Sequence, residues 1–173
     1  MSKSQEFMPL NIAVLTISDT RTEENDTSGK TLVERLTKEG HTLAEKLIVP
    51  DDIYQIRVPV SRWIADPKVN TVITTGGTGV TGRDGTPEAV EVLLDKKLDG
   101  FGELFRYISY QEIGTSSLHS RAVAGVANGT YIFCIPGSSG ACRTAWDQII
   151  QLQLDSRTRP CNFAEMMHRL LET

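Results

Sequence analysis

Short apolar runs recur along the chain and predict the strands of a sheet. The run "NIAVLTIS" at residues 11–18 is apolar on both faces, which is typical of a strand buried inside a parallel sheet. The run "NTVITT" at residues 70–75 repeats this pattern. The more polar "HTLAEKLIVP", residues 41–50, favours a strand at the sheet edge. Two apolar runs flank Asn128 and Gly129, a pair typical of a tight hairpin turn, so one strand should run antiparallel.

Apolar residues at helical spacing predict helices between these strands. One helix is expected over residues 28–39, after a polar loop. A second helical face begins at Ile53 and is interrupted by Pro59. Because a proline inside a helix costs about 3 kcal/mol, we expect a kink or a split there. Thr86 and Pro87 are expected to be the N-cap and the first residue of a third helix.

Two further helical faces follow, at residues 101–108 and 140–154, and the tail beyond them should add a short helix. Alternating strands and helices with one hairpin predict an α/β fold. We expect a three-layer α/β/α sandwich whose sheet is mixed but mostly parallel and includes one antiparallel hairpin strand. A single domain should span residues 1–173, with residues 1–9 and about 160–173 as peripheral tails.

Composition narrows the class of protein. With 173 residues, 39% hydrophobic and 23% charged, the chain can bury one substantial core. Its net charge of −4 argues against nucleic acid as a partner, because phosphate backbones attract a surplus of Lys and Arg. No segment resembles a signal peptide or a membrane span, so we expect a cytoplasmic protein that does not bind membranes. The spacing of its three cysteines and three histidines suggests neither a disulfide framework nor a zinc site.

The stretch "TTGGTGVTGRDGTP", residues 74–87, partly matches two nucleotide-binding patterns. The dinucleotide fingerprint needs a helix to begin at its third glycine, whereas the first convincing helix start here is Thr86. The phosphate loop of nucleoside triphosphatases needs Lys and then Ser or Thr where this chain has Arg83 and Asp84. Neither pattern therefore holds in its structural context.

The same glycines still indicate an anion site. They remove side chains from a loop at the carboxyl end of a central strand and so expose backbone N–H groups. The carboxylate of Asp84 would repel phosphates unless Mg²⁺ lies between them. Asp84 is therefore a candidate metal ligand or proton-transfer residue. The alternative is a solvated turn with an acid that caps the next helix.

Two other loops offer similar alternatives. In "IPGSSGACRTAW" a strand leads into Ser138 and Ser139 and a helix follows, an arrangement that binds phosphate or merely caps the helix. In "NDTSGK", Asp26 or Ser28 either caps the first helix or faces a ligand. If the strands before these loops and the glycine loop are parallel, all three loops converge on one edge of the sheet.

Six motifs, in this order, are then considered together: "TISD" (residues 16–19), "DTSG" (26–29), "TTGGTG" with "RDGTPEA" (74–89), "GFGELFR" (100–106), "SRAVAGV" (120–126) and "PGSSGA" (136–141). They closely resemble the MoaB/MogA family of molybdenum-cofactor biosynthesis, the molybdopterin adenylyltransferases. The ending "CRTAWDQIIQLQLDSRTRPCNF" is more similar to the MoaB branch. The resemblance implies a three-layer sandwich, assembly into homotrimers or hexamers, and a reaction of molybdopterin with ATP that is assisted by Mg²⁺ and releases pyrophosphate.

The resemblance also implies roles for individual residues. Asp84 and Asp51 would be catalytic, and Asp84 would bind the metal. The residues expected to bind substrate are Gly76, Gly77, Thr78, Gly79, Ser18, Asp26, Ser28, Glu103, Pro136, Gly137, Ser138 and Ser139. For Glu103, an ion pair with Arg106 that shapes the helix is an equally good interpretation.

A rival function shares the fold and the pocket but not the catalysis. A catalytically weak member of the MoaB branch would bind or carry molybdopterin during cofactor assembly, whereas retention of Asp84 favours activity. The apolar segments "FGELFRYISY" and "SSLHSRAVAG" exceed what one sandwich core needs and support a homo-oligomer. Other molybdenum-cofactor assembly proteins are the further partners that the resemblance implies.

Overall fold

Six strands form one mixed sheet in the computed structural model, which describes residues 6–172. The strands are β1 (Asn11–Ile17), β2 (Thr42–Val49), β3 (Thr71–Thr75), β4 (Lys96–Lys97), β5 (Val123–Ala127) and β6 (Thr130–Ile135). Their order across the sheet is β2-β1-β3-β6-β5-β4. Of these strands, β5 runs antiparallel to both of its neighbours, and the pairs β1–β2, β1–β3 and β3–β6 are parallel. The predicted mixed sheet and the predicted edge position of β2 are confirmed.

Helices lie on both faces of the sheet. They are α1 (Thr27–Lys38), α2 (Ile53–Ala65), α3 (Thr86–Glu91), α4 (Asp99–Ile113), α5 (Ser139–Ala145), a π-helical turn (Trp146–Ile150), α6 (Gln151–Leu154) and α7 (Phe163–Met166). Short 3₁₀ helices occupy Gly114–His119 and Met167–Arg169. None of the helices within residues 6–172 is both long and apolar enough to cross a bilayer.

Neighbouring residues of one strand contribute to two separate cores. Val14 packs with α1, α4 and α5 on one face, while Leu15 packs with α2 and α3 on the other. Successive strand side chains point to opposite faces, so a strand that is apolar throughout requires cover on both sides. The predicted α/β/α sandwich is confirmed.

The structure corrects several details of the predicted elements. Pro59 is buried inside α2, which is a single continuous helix rather than a split one. Gly85 occupies the N-cap position of α3, and Thr86 is its first helical residue. The strand β4 was not predicted, because its two lysines carry no apolar pattern and are held by pairing with Gly125 and Val126.

Both chain ends that the structure describes pack onto the sandwich. The Phe163 ring stacks on Tyr131 with 4.6 Å between centroids, so the segment expected to be a peripheral tail contributes to the core. Phe7 lies 5.1 Å from the ring of His41. At the hairpin, Asn128 and Gly129 have φ of 46° and 78°, as the predicted turn requires. Residues 1–5, part of the expected N-terminal tail, and residue 173 lie outside the described residues.

Candidate functional site

The loops that follow β1, β2, β3 and β6 meet at one edge of the sheet. The Gly76 N–H, directly after β3, donates to the Ile135 carbonyl at the end of β6, with 3.0 Å between N and O. A side chain at Gly76 would collide with the Ile17 carbonyl at the end of β1, and φ is +109°. A Cβ at Gly137 would lie 3.0 Å from the Gly76 Cα. The predicted convergence of these loops is confirmed.

The glycine loop, residues 76–85, remains open until α3 begins. Thr86 closes it by donating from Oγ1 to the Gly76 carbonyl at 2.8 Å and from its N–H to the Gly77 carbonyl at 2.9 Å. Thr86 is fully buried, so these bonds hold the base of the loop away from water. No helix starts at Gly82, which confirms that this loop is longer than the dinucleotide fingerprint allows.

Asp51, which follows β2, brings its carboxyl group against this loop. A Cβ at Gly77 would come 2.9 Å from Asp51 Oδ2. The other oxygen, Oδ1, is buried and has no hydrogen-bond partner among the described residues. Burial, and then the negative charges of Asp84 and Asp19, raise the pKa of the Asp51 carboxyl. This edge of the sheet thus carries an acceptor that residues 6–172 leave unsatisfied.

Asp84 folds back on the exposed part of the loop. Its Oδ2 accepts hydrogen bonds from the Thr81 N–H at 2.8 Å and from Thr81 Oγ1 at 2.5 Å. These bonds, the Thr81 hydroxyl first, lower the pKa of Asp84. The side chain does not cap α3, so the capping part of the predicted alternative is wrong, whereas the turn that it also predicted is present. Asp84 instead closes a turn while remaining a charged carboxylate near Asp51.

Asp19 and Arg83 connect the loop after β1 to the glycine loop, and neither was among the predicted site residues. Arg83 donates to both oxygens of Asp19, at 3.0 and 2.7 Å. Asp19 Oδ1 also accepts the Asp51 N–H at 3.0 Å. The Arg83 bonds lower the pKa of Asp19. The sequence could have indicated Asp19 by its position, because Asp19 follows a buried parallel strand and the ends of such strands carry binding groups.

Asp26 and Ser28 lie beneath this surface. Asp26 is the N-cap of α1 and is fully buried. Its oxygens accept from the Gly29 N–H at 2.9 Å and from Thr16 Oγ1 at 2.8 Å, and Lys46 Nζ lies 2.8 Å from Oδ2. Ser28 is buried beside it. Of the two interpretations of this loop, the structure supports helix capping.

The serines at this edge have local partners. Ser138 is the N-cap of α5, and its Oγ accepts the Ala141 N–H at 3.0 Å. Pro136 and Gly137 precede it beside the glycine loop, and Ser139 begins the helix. Ser18 Oγ accepts N–H bonds from residues 20 and 21 within its own turn. Capping therefore accounts for the Ser138 hydroxyl, while its location at the converging loops leaves it available to a ligand.

A cavity of about 410 Å³ is lined by Glu103 together with Arg106 and Arg121. Arg106 Nη1 donates to the backbone carbonyls of Ser120 and Ala122, at 3.3 and 3.2 Å. Arg121 lines the same cavity and also contacts the glycine loop. Glu103 therefore lies in the cavity beside the glycine loop and not among the converging loops. The predicted ion pair of Glu103 with Arg106 is not among the ion pairs of the described residues, because Arg106 donates to backbone carbonyls instead.

Comparison with known proteins accounts for this arrangement. Residues 13–156 match the family model described as "Probable molybdopterin binding domain". The molybdenum cofactor biosynthesis protein B of Escherichia coli (strain K12) is 56% identical over 160 residues, which cover 92% of this chain and 94% of that protein. The chain belongs to the MoaB/MogA family of molybdenum cofactor biosynthesis.

Other members of the family support the same assignment. The protein of the same name from Bacillus cereus is 46% identical over 153 residues, covering 88% of this chain and 90% of that one. A crystal structure of a molybdenum cofactor biosynthesis protein B superposes with a TM-score of 0.87 at 42% identity, covering 98% and 100% of the two chains. The tungsten cofactor synthesizing protein MoaB from Pyrococcus furiosus has a TM-score of 0.79 at 34% identity, covering 92% and 96%.

Proposed function

We propose that this protein adenylylates molybdopterin with Mg-ATP and releases pyrophosphate. The observation that carries the proposal is the buried Oδ1 of Asp51, which has no partner among the described residues and belongs to a carboxyl group packed on the glycine loop. A buried acceptor without a partner costs stability unless a water molecule or a ligand satisfies it, and at this edge of the sheet a ligand group can do so. Membership of a molybdenum cofactor biosynthesis family supplies the substrate class.

The donor set fits a magnesium ion that is shared with a nucleotide. Carboxylate oxygens from Asp51 and Asp84 are hard ligands of the kind that Mg²⁺ prefers. Within residues 6–172 no group of three or more Asp, Glu, His or Cys side chains is gathered around a metal-sized space. One or two carboxylates with substrate phosphates are the usual way in which enzymes hold this ion. When bound, it would neutralise charge on the phosphates.

The residues of the chain then act mainly by positioning. In adenylylation an oxygen of the molybdopterin phosphate attacks the α-phosphorus of ATP, and the bond to the departing pyrophosphate breaks. Such transfers leave the protein little covalent work, so orientation and charge dominate. The Gly76 N–H is occupied by the Ile135 carbonyl, so we assign phosphate binding to the N–H groups of Gly77 and Thr78 and of the Ser138 loop. We assign orientation of the metal-phosphate group to Asp51 and Asp84.

A binding role without catalysis is the second candidate. It is favoured by the Asp84 geometry, because two hydrogen bonds from Thr81 to Oδ2 hold this carboxylate in the turn. In this case the protein would hold molybdopterin for another assembly protein.

One assay separates the two candidates. Purified protein is mixed with molybdopterin, ATP and Mg²⁺, and adenylylated molybdopterin is sought by mass while pyrophosphate is measured in the same sample. The proposal expects both products, with none when Mg²⁺ is omitted. Molybdopterin binding without either product would assign the protein to the carrier role.

We further propose that the protein is a homo-oligomer built on trimers. Leu104, Tyr107, Tyr110 and Ile113 of α4 are exposed, and Leu118 after it is 77% exposed. Contiguous exposed apolar side chains of this kind mark interaction surfaces. Light scattering is expected to give a trimer or a hexamer at micromolar concentration, and a monomer would contradict the proposal.

A further inference from the structure

Arg121, two residues before β5, contacts the glycine loop at its rear. Its Nε donates to the Gly79 carbonyl at 2.7 Å, and its Nη2 donates to the Asp84 carbonyl at 3.0 Å. Its own N–H donates to the Thr78 carbonyl at 3.1 Å. Its Nη1 pairs with the carboxylate of Glu88 in α3. One residue therefore binds three carbonyls of the loop from the same side.

These three contacts also determine where the loop N–H groups point. A trans peptide is planar, so the N–H of each residue points away from the carbonyl of the residue before it. With the Thr78 and Asp84 carbonyls turned toward Arg121, the N–H groups of Gly79 and Gly85 face the opposite side. Gly79 packs directly against the Asp84 carboxylate, because a Cβ at Gly79 would lie 2.7 Å from Asp84 Oδ2.

We infer that Arg121 is a positioning residue for the proposed reaction: by holding three peptide planes of the glycine loop, one of them at Asp84 itself, it sets the orientation of the Asp84 carboxylate. The effect on turnover rests on the proposed function, whereas the effect on the loop does not. The Arg121 guanidinium makes no described hydrogen bond to this carboxylate; its charge helps to lower the pKa of Asp84, and its bonds act through the backbone.

The shape of the side chain matters more than its charge. A guanidinium presents donors in a rigid planar fork, which lets Arg121 bond Gly79, Asp84 and Glu88 at once. A lysine has one compact ammonium group and cannot span these acceptors in a fixed geometry. Arg121→Lys, which keeps the charge, is therefore expected to behave like Arg121→Gln, which removes it.

A matched control lies in α2. Arg57 also donates to two backbone carbonyls, those of Ala89 and Glu88 in α3, at 3.2 and 3.1 Å, and these lie outside the glycine loop. Arg57→Gln thus removes the same kind of contact from a neighbouring element. It is expected to leave the glycine loop as it is in the wild type.

The first measurement needs no substrate. Amide hydrogen exchange is followed by NMR at Thr81, Asp84 and Thr86, whose N–H groups are hydrogen-bonded to residues of the loop, in the purified wild type, Arg121→Lys, Arg121→Gln and Arg57→Gln. In both Arg121 variants these amides are expected to exchange about tenfold faster, because the loop opens locally, with the core strands still protected. Unchanged exchange in both variants would overturn the inference, and so would wild-type exchange in Arg121→Lys alone.

The second measurement is steady-state adenylylation. We expect kcat to fall about a hundredfold in both Arg121 variants while KM for ATP changes little, because misplaced groups slow chemistry more than binding. Recovery of kcat by Arg121→Lys would show that charge suffices and would overturn the inference.

If the wild type itself is inactive, the proposed function fails, while the exchange data still decide whether Arg121 holds the loop. If the Arg121 variants do not fold, Glu88→Gln, which loosens only the guanidinium, replaces them and should accelerate the same three amides.

Discussion

Two aspartates follow neighbouring parallel strands, and their surroundings are opposite. Asp26, after β1, is fully buried and is matched by the Gly29 N–H, the Thr16 hydroxyl and the Lys46 ammonium group. Asp51, after β2, has a buried oxygen with no partner in the described residues. The Asp26 carboxylate, with all these partners, stabilises the fold. The second leaves hydrogen-bonding capacity at the sheet edge where ligands of such folds bind.

The pKa values of the two carboxyl groups move in opposite directions. Burial acts against ionisation of Asp26, but the hydrogen bonds from Lys46, Gly29 and Thr16 outweigh it and lower the pKa. Burial of Asp51 raises its pKa, and nearby carboxylates add to that effect. Groups whose pKa is raised by burial and like charges concentrate at functional sites. The presence of hydrogen-bond partners, more than burial alone, distinguishes the structural Asp26 from the candidate functional Asp51.

The largest expected effect is on turnover at Asp51. Asp51→Asn keeps the size of the side chain and removes the charge that would orient a metal-bound phosphate. We expect turnover to fall about a hundredfold to several-thousandfold, which corresponds to about 3 to 5 kcal/mol of barrier. Single-turnover formation of adenylylated molybdopterin measures it. The turnover of Asp84→Asn is expected to fall by a similar factor, while its binding of molybdopterin is retained.

Asp52 provides the control for this loss. It is adjacent to Asp51 and caps α2 by accepting the N–H groups of Tyr54 and Gln55. Asparagine caps helices as well as aspartate does, so Asp52→Asn makes the same change in charge without loss of the cap. A wild-type rate is expected. An equal loss in Asp52→Asn would mean that general charge, and not the open oxygen of Asp51, governs the reaction.

The parts of this picture that the sequence could predict are those with local causes. Strand β1 is apolar throughout because both faces are covered, and this is visible in consecutive residues. Strand β4 has only Lys96 and Lys97, and its pairing partners lie far along the chain. The open oxygen of Asp51 depends on packing against a loop from another strand, as do the contacts of Arg121 with residues 37 and 42 positions earlier. The motifs located the site, but only the three-dimensional structure shows which of its polar groups have hydrogen-bond partners.

The second prediction concerns stability at Asp26. Asp26→Ala removes the cap of α1 and one partner of Lys46, whose side chain is only 12% exposed. Breaking a buried pair on one side costs about 3 to 5 kcal/mol, and we expect the lower end because Lys46 retains Glu23 at 2.9 Å. Urea unfolding measures the change. Asp52→Ala, which removes only a cap, should cost about 1 kcal/mol; equal losses would contradict the buried-pair explanation.

A third prediction separates capping from ligand contact at Ser138. Ser138→Asp retains a good N-cap for α5 but adds a negative charge at the converging loops. Stability should change by only about 0.5 kcal/mol or less. The affinity for ATP or molybdopterin should fall about tenfold, equivalent to about 1.4 kcal/mol. Calorimetry measures the affinity, and unchanged binding would leave Ser138 with its capping role alone.

The smallest expected effect is a gain in stability from Asp51→Asn. Because burial and the charges of Asp84 and Asp19 raise the pKa of Asp51 in the folded protein, its ionised form opposes folding. That cost is absent below the ordinary aspartate value of 3.8, grows as the pH rises toward the raised pKa of the folded state, and is complete above it. Removing this half-buried charge, one oxygen of which has no partner among the described residues, should therefore raise the free energy of unfolding by about 1 kcal/mol or less near pH 7. The gain should shrink as the pH is lowered, and urea unfolding of both proteins across the pH range would measure it.

The stability that Asp26 contributes has the opposite pH dependence, because the pKa of Asp26 is lowered. This contribution is present at neutral pH and is lost as the pH falls through the lowered pKa. A loss of stability in Asp51→Asn at neutral pH would mean that this carboxylate is as well paired as Asp26, and the contrast between the two loops would disappear.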